Sequence, residues 1–234
     1  MEKTRYSDCY IAFIDILGFK EMINNCPFEE IFRMFRRSMK MPMDFFSHDG
    51  KPVLDMSDIH MKVMSDSVCF SVDRIITNSL VGLVATCLYF QVDLLRQSKP
   101  VLSRGAITHG KIYADGDILF GPGFVKAYLM EEKSAKYPRI IMTKETMDAA
   151  REQTAPTEAD FLPKHTFIDF DEFYTIDSCK VLEGFDDTGK DCACLLSCLN
   201  QTLATSTDSS IREKNLYLKK NLLRWYRPGR DSHT

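Results

Sequence analysis

The sequence predicts an α+β protein with an antiparallel-rich sheet, helices on one face of it and a helical extension at the C-terminus. Three observations support this class. Apolar runs and segments of helical periodicity follow one another in the order β-α-β-β-α-β. Short polar or glycine-containing turns join several of the runs, and two helical patterns fill the end of the chain. With 234 residues, 44% of them hydrophobic, the chain is long enough to bury a large core.

The first half alternates between the two periodicities. Its predicted elements are, in order, a strand over 10–17, a helix starting near Pro27, a strand–turn–strand over 62–72, a helix over 78–97 and two strands over 101–109 and 112–120 joined around Gly110.

The second half opens with the glycine-rich FGPG of residues 120–123 and a predicted helix over 123–135. A short strand then leads to a helix capped by Thr143, followed by the polar linker QTAPTEADFLP. A strand over 167–173 and helices over 191–206 and 211–226 complete the prediction. We therefore divide the chain into a core, residues 1–153, and a strand and helical extension packed on it, residues 154–234.

Charge and hydropathy exclude several classes of function. A net charge of -3 and a pI near 6.0 predict no binding to nucleic acid. The opening MEKTRYSD lacks the apolar core of a signal peptide, and no apolar run is long enough to span a bilayer. We expect a cytoplasmic protein that does not bind membranes. Five cysteines are scattered through apolar segments, and we expect them to be reduced core residues: Cys9, Cys26, Cys69, Cys87 and Cys179. The remaining three, Cys192, Cys194 and Cys198, lack the spacing of a structural zinc site.

An aspartate interrupts the apolar run YIAFIDILGFK of residues 10–20. An unpaired carboxylate in such a strand costs several kcal/mol or more, so Asp15 needs a partner, and a metal ion is one candidate. Asp66 lies in KVMSDSV, where a hairpin would turn. The two carboxylates would supply hard oxygen ligands to a divalent ion. The alternative is structural, with Asp66 capping a turn and Asp15 capping a helix.

Three ordered blocks resemble those of class III nucleotidyl cyclases: FIDILGFKEM, KVMSDSV, and LSRGAITHGKIYADGDILFGPGFVKAYLMEE. The resemblance covers about residues 8–143 and implies a ferredoxin-like cyclase domain. The chain's compact size, its GPG turn and its ending LKKNLLRWY resemble more narrowly the pyrimidine cyclases of bacterial Pycsar anti-phage defence.

The resemblance assigns roles to individual residues. Asp15 and Asp66, with the backbone carbonyl of Ile16, would hold two Mg²⁺ or Mn²⁺ ions. The backbone N–H groups of four residues would receive the nucleotide's phosphates: Leu17, Gly18, Phe19 and Lys20. Arg104 is a candidate catalytic cation in the third block.

The sequence departs from the purine cyclases on the helix after the third block's glycine. Val125 and Leu129 stand where that family has an asparagine and an arginine. Full activity therefore requires another cation, and Arg104, Lys126 and Arg139 are the candidates.

Lys62, four residues before Asp66, matches a base-reading lysine of adenylyl cyclases, while a solvent-facing strand lysine is the alternative. We expect a uridylate cyclase that converts UTP into 3′,5′-cyclic UMP; the alternatives are a cytidylate or adenylate cyclase, or a catalytically silent nucleotide-binding module. The resemblance also implies a homodimer with sites shared between chains and a separate effector that responds to the cyclic nucleotide.

Overall fold

A mixed sheet organises the computed structural model, which describes residues 5–39, 47–48, 51–52, 54–115 and 118–228. The strands are β1 (Ser7–Ile16), β2 (Ser47–His48), β3 (Lys51–Pro52), β4 (Ile59–Met64), β5 (Ser67–Asp73), β6 (Ser103–Asp115), β7 (Ile118–Phe120), β8 (Ile140–Met142), β9 (Thr166–Ile168) and β10 (Tyr174–Ile176). The helices are α1 (Phe19–Asn25), α2 (Phe28–Ser38), α3 (Ser79–Leu95), α4 (Pro122–Ser134), α5 (Lys144–Ala149), α6 (Phe161–His165), α7 (Ser178–Gly184), α8 (Lys190–Thr205) and α9 (Ser209–Trp225).

The strand order of the main sheet is β4-β5-β1-β6-β8-β10-β9, and β7 pairs with β6. The pairing of β6 with β8 is parallel, and every other pairing in this sheet is antiparallel. The predicted antiparallel-rich α+β class is confirmed. Because β1 lies between β5 and β6, its C-terminal end is flanked by the β4–β5 turn and by the start of β6.

Successive side chains of β1 point to opposite faces of the sheet, where they join two different apolar clusters. Tyr10 and Ile14 join the larger cluster, which α3 and the C-terminal helices cover. Ile11 and Phe13 join a smaller one, where α4 contributes Ala127. Most of the helical packing is therefore on one face, as predicted, while α4 covers the other.

Gly110 lies inside β6 and not between two strands, so the predicted turn there is wrong. A Cβ built on Gly110 would meet the Cα of Gly123 at 2.9 Å, and one on Gly123 would meet the carbonyl carbon of Gly110 at 2.8 Å. Glycine is required at both positions because α4 packs against the strand without intervening side chains. A glycine in an apolar segment is compatible with a turn and also with close packing against a helix, so the sequence alone does not distinguish the two.

Three further local predictions, the linker, the strand after it and the cap of α5, can be compared with the structure. The linker contains a short 3-10 turn, Pro156–Glu158, and the beginning of α6. The strand predicted over 167–173 is a hairpin of β9 and β10, and Asp169 to Phe173 form its turn. The predicted cap of α5 is confirmed, because the Thr143 hydroxyl accepts a hydrogen bond from the Thr146 N–H at 3.2 Å.

Residues of the C-terminal extension belong to the main core. Leu195, Leu199, Leu218 and Leu222 are buried in the same cluster as β1. Thus α8 and α9 belong to the main core, where they pack against each other and against α7. The division into 1–153 and 154–234 stays a prediction.

A buried arginine, Arg139, joins the extension to the sheet at the start of β8. Its side chain is 2% exposed and forms ion pairs with Asp169 and Asp171, with Nη1 donating to Asp171 Oδ1 at 3.0 Å. The guanidinium carbon also lies within 5.2, 5.5 and 5.6 Å of three ring centroids, those of Phe170, Tyr217 and Tyr137. We call this group the Arg139 cluster; it packs α9 and the β9–β10 turn against the sheet.

All eight cysteines lie in the described part of the chain, and none forms a disulfide. Of the predicted core cysteines, Cys9, Cys69, Cys87 and Cys179 are buried, whereas Cys26 is half-buried. Among the described helices, none combines the length and the apolar character needed to cross a membrane.

Candidate active site

The first two predicted site residues, Asp15 and Asp66, lie side by side. Asp15 is the penultimate residue of β1 and is paired with Ser67 at the start of β5. Asp66 is in the β4–β5 turn, and its carbonyl accepts a hydrogen bond from the Ile16 N–H at 2.8 Å. The turn needs an unusual backbone, since Ser65 has a φ of 58°. The hairpin and the end of β1 thus place Asp15 and Asp66 on neighbouring segments of backbone.

A sharp turn connects β1 to α1 beside these carboxylates. Gly18 has a φ of 75°, in the left-handed region that favours glycine, and a Cβ there would meet nothing within 4 Å. The N–H groups of Phe19 and Lys20 are in the first turn of a helix, where N–H groups lack partners within the helix. The Leu17 N–H, by contrast, donates to the Leu102 carbonyl at 2.8 Å. Leu17 therefore has no N–H available for a phosphate.

Arg104 is directly opposite Asp15 on β6. Its Nε donates to Asp15 Oδ2 at 3.2 Å, and its Nη1 donates to the Ala135 carbonyl at 3.4 Å. The side chain is 24% exposed, so part of the guanidinium remains open to solvent. This geometry brings Arg104 to the site that the sequence assigned to it.

Glu131 of α4 completes the cluster and is a residue that sequence reasoning missed. Its side chain is 4% exposed, and its Oε1 lies 2.8 Å from Arg104 Nε. The direction of the Nε–H favours Asp15, so Oε1 has no hydrogen-bond partner among the described residues. Burial raises the pKa of Glu131 to about 7, Arg104 opposes that rise, and Asp15, Glu132 and Asp66 add to it. A carboxyl that holds its proton near neutral pH therefore lies beside the two aspartates.

Spacing on α4 could have identified Glu131. Gly123, Ala127 and Glu131 follow one another at four-residue intervals and are all buried. Small residues at the first two positions mark the helix face that contacts the sheet, so the third position must also point inward.

Lys62 lies on the same face of the sheet as Asp15. Its cross-strand partner is Cys69, which is itself paired with Phe13, two residues before Asp15. With strands about 4.8 Å apart, the Cα atoms of Lys62 and Asp15 are separated by about 12 Å. Lys62 lines a recess of about 60 Å³ with His60, Met61, Cys69, Ser71, Ala114, Asp115 and Leu119. Asp115 is a recess residue that the sequence pattern did not identify.

Of the three candidate substitute cations, only Arg104 lies at the site. Lys126 is 3.6 Å from Glu145, and Arg139 is enclosed in its own cluster. The positions of the purine-type pair are on the outward side of α4, where Val125 and Leu129 are 50% and 37% exposed.

The donor set fits a divalent cation. Asp15 and Asp66 supply carboxylate oxygens, and Asp66 forms no ion pair with any residue that the structure describes. In that part of the chain no three residues among His, Cys, Asp and Glu form a metal-binding group. Two carboxylates leave most positions of an octahedral ion to backbone, water or substrate oxygens, which is the usual situation for Mg²⁺ at phosphate sites.

No family model and no curated protein matches the chain. The chain does match solved structures. The chain is similar to the monomeric guanylyl cyclase domain of the RhoGC fusion protein from the aquatic fungus Blastocladiella emersonii, with 12% identity, a TM-score of 0.51, and coverage of 75% of this chain and 98% of that domain.

Two further solved structures give lower scores. A bacterial light-regulated adenylyl cyclase is 14% identical over 93% of this chain and 57% of its own, with a TM-score of 0.49. The catalytic core of a rhodopsin-guanylyl cyclase with converted specificity, in complex with ATPαS, is 13% identical over 63% and 83%, with a TM-score of 0.47. Of these three structures, the fungal domain alone has a TM-score above 0.5, so the fold assignment depends on it. The chain has the fold of a class III cyclase domain.

Proposed function

We propose that the protein is a nucleotide cyclase that converts UTP into 3′,5′-cyclic UMP and pyrophosphate. The observation that carries this proposal is the pair of carboxylates, Asp15 and Asp66, at the end of β1 beside the Gly18 turn. The likeness of the fold to a guanylyl cyclase domain supports the proposal.

In this proposal Asp15, Asp66 and the Ile16 carbonyl hold two Mg²⁺ or Mn²⁺ ions. When bound, the ions supply Lewis acidity for attack of the 3′-hydroxyl on the α-phosphorus and for departure of pyrophosphate. The backbone N–H groups of Gly18, Phe19 and Lys20 bind phosphate oxygens, whereas the Leu17 N–H keeps the turn attached to Leu102.

Arg104 is the residue that supplies positive charge to the substrate's phosphates. Its exposed edge and its position next to Asp15 support this role. Glu131 Oε1 lies 2.8 Å from the same Nε from within the protein, so its charge keeps Arg104 in position when Asp15 binds cations. Glu131 is accordingly a positioning residue.

The recess around Lys62 and Asp115 is the proposed base pocket. An ammonium group donates to O4 of uracil, and a carboxylate accepts from its N3–H. Unpaired polar groups would penalise a base with the wrong edge, and Lys62 would meet the 4-amino group of cytosine unfavourably.

The first test is direct. Purified protein is incubated with each of the four NTPs and Mn²⁺, and the products are identified by chromatography and mass spectrometry. Asp15→Asn and Asp66→Asn should each lower turnover by at least about a hundredfold without loss of folding, because each substitution removes charge with little change in shape. Asp8→Asn is the matched control, since Asp8 is on β1 but pairs with Arg74 away from the site. Retained turnover in either test variant rejects the site.

Base preference is tested on the same protein. UTP should be converted at least about tenfold faster than CTP, which is about 1.4 kcal/mol of transition-state stabilisation. Lys62→Ala should narrow that ratio. Preference for ATP would reject the pyrimidine assignment and support an adenylate cyclase; preference for CTP would support a cytidylate cyclase.

We also propose a homodimer in which one chain supplies Asp15 and Asp66 and the other supplies Lys62. Mixing Asp15→Asn chains with Lys62→Ala chains should restore part of the activity. Mixed dimers without recovery would show that each chain carries a complete site. The cyclic nucleotide would then act on a separate effector in anti-phage defence.

A second candidate is a catalytically silent nucleotide-binding module. The apolar Val125 and Leu129 at the purine-type positions favour it. Binding of UTP to the protein without conversion of any NTP would support this candidate over the enzyme.

A further inference from the structure

A second concavity lies away from the carboxylate pair. It measures about 420 Å³ and is bounded by α1, α2, the 97–102 segment and the first turns of α9. Asp15, Asp66, Arg104 and Lys62 are not among its lining residues. Its volume is in the range of small-molecule binding sites, about 300–1,000 Å³. We call it the α1–α9 pocket.

The interior of the α1–α9 pocket is apolar. Its lining includes Met22, Ile31, Met34, Val101 and Leu102. Met34 is 4% exposed and belongs to the main core. Flexible methionine side chains adapt to ligands of irregular shape, so these walls suit an apolar body.

The charged residues that line the pocket are mostly basic. Arg33, Lys99 and Lys214 line it together with a single acidic residue, Glu30. None of these four residues forms an ion pair with another residue that the structure describes. The three cations come from different segments, α2, the loop before β6 and α9, and they converge on one concavity.

A buried amide adds hydrogen-bonding capacity to the pocket. Asn215 lines the pocket and is 7% exposed. Its Nδ2 donates to the Ile211 carbonyl at 2.7 Å, one turn earlier on α9. The side-chain oxygen of Asn215 accepts no hydrogen bond from the part of the chain that the structure describes. A ligand hydroxyl or protonated acid group can use it.

We propose that the α1–α9 pocket binds a small amphiphilic molecule with an apolar body and one anionic group, such as a medium-chain carboxylate. The apolar interior accommodates the body, and the excess of three cations over one carboxylate selects a negative head group. A neutral apolar ligand would leave the cations unused, and a cationic amphiphile would be repelled.

The pocket also adjoins the proposed phosphate turn. Leu17, Gly18 and Leu102 line it, and the Leu17 N–H donates to the Leu102 carbonyl at 2.8 Å. A ligand there contacts the wall that positions the Gly18 turn. We expect occupancy to change the affinity for a nucleoside triphosphate, an expectation that rests on the proposed function, whereas binding to the pocket does not.

Isothermal titration calorimetry with decanoate tests the site on the full chain. Decanoate should bind, and decyltrimethylammonium, with the same chain and the opposite charge, should bind at least about tenfold more weakly. Arg33→Glu and Lys214→Glu should each weaken decanoate at least about tenfold. Arg36→Glu is the matched control on α2, because Arg36 lies over the Phe32 ring and does not line the pocket; its affinity should stay within about twofold of the wild type.

A variant that fills the pocket provides an independent test. Ile31→Trp should abolish decanoate binding while retaining the charges, and circular dichroism reports whether it folds. If Ile31→Trp does not fold, the affinities of Arg33→Glu and Lys214→Glu for decanoate still test the site. No binding of decanoate, equal binding of the cationic amphiphile, or an equal loss in Arg36→Glu would each overturn the site. The affinity for UTP in Mn²⁺, measured with and without decanoate, tests the coupling; an unchanged affinity overturns the coupling and leaves the site intact.

Discussion

Arg104 and Arg139 are two arginines with very different surroundings. Arg139 is 2% exposed, and both of its terminal nitrogens bond to aspartates. Burial alone lowers the pKa of Arg139, yet the hydrogen bond to Asp171 and the nearby charges raise it above its ordinary value. Arg104 is 24% exposed and is shared between Asp15 and a Glu131 oxygen that lacks a hydrogen bond.

The difference separates a structural arginine from a functional one. The Arg139 cluster has two carboxylates and three rings around one cation, and the one guanidinium nitrogen without a hydrogen bond to a described residue, Nε, is buried, so little capacity remains for a ligand. The Arg104 group has incomplete pairing and adjoins two carboxylates at an open edge. Loss of Arg139 should therefore affect folding, and loss of Arg104 should affect chemistry.

Replacement of Arg139 should have the largest effect. Arg139→Met leaves Asp169 and Asp171 without their cation, and we expect the free energy of unfolding to fall by about 3–5 kcal/mol. Chemical denaturation measures it. Arg151→Met is the control, because Arg151 is exposed and its pairing with Asp148 should contribute less than about 1 kcal/mol. Equal, small changes in both variants would contradict the structural role.

Replacement of Arg104 comes next. Arg104→Met should reduce turnover of UTP by about a hundredfold, equivalent to about 2.7 kcal/mol in activation free energy. The free energy of unfolding should change less than in Arg139→Met, because Glu131 can take up a proton when its cation is lost. Steady-state kinetics and denaturation on the same sample separate the two effects. A variant with normal turnover would remove Arg104 from the site.

Glu131 gives a smaller effect that depends on pH. Because its pKa is raised from 4.5 to about 7 in the folded protein, the folded state binds the Glu131 proton more tightly than the unfolded state does. Its contribution to stability is full below about pH 4.5 and is lost as the pH rises through about 7.

Glu131→Gln removes this dependence. Relative to the variant, the wild type should lose about 2 kcal/mol of unfolding free energy between those two pH values. Denaturation curves at several pH values measure the difference. A constant difference would show that Glu131 has an ordinary pKa, and a wild type that gains stability over this range would reverse the assignment.

The smallest effect concerns one ring of the Arg139 cluster. Tyr137→Leu removes a ring that lies 5.6 Å from the guanidinium and stacks on Tyr217, and it should cost about 1 kcal/mol. Phe28→Leu is the control, because Phe28 is 73% exposed and contacts no described cation; it should change stability by less than about 0.5 kcal/mol. Thermal unfolding of the two variants decides whether the ring contributes.

The parts of the site that are local in sequence could be predicted. An aspartate in an apolar run and another in a polar turn located the carboxylate pair, because a strand end and a hairpin turn each have a short sequence pattern. The availability of the Leu17 N–H could not be predicted, since its acceptor, Leu102, comes from a distant strand start. The spacing of Gly123, Ala127 and Glu131 could have shown that Glu131 points inward, but its contact with Arg104 depends on tertiary packing.

Fold class was predictable from periodicity, but the role of Gly110 was not, because a glycine in an apolar segment is compatible with either a turn or a close contact. The α1–α9 pocket was also outside the reach of sequence reasoning. Its walls come from segments that only the folded chain brings together.

The contact between Gly110 and Gly123 holds the backbone of α4 close to the sheet and leaves no space for a side chain at either position. Residues on the outward side of the helix, Val125 and Leu129 among them, can therefore change identity without displacing Glu131 on the inward side. Substitutions on that outward side leave the ion pairs around Arg104 in place. A pair of glycines thereby makes one surface of the helix free to evolve and keeps the other constant.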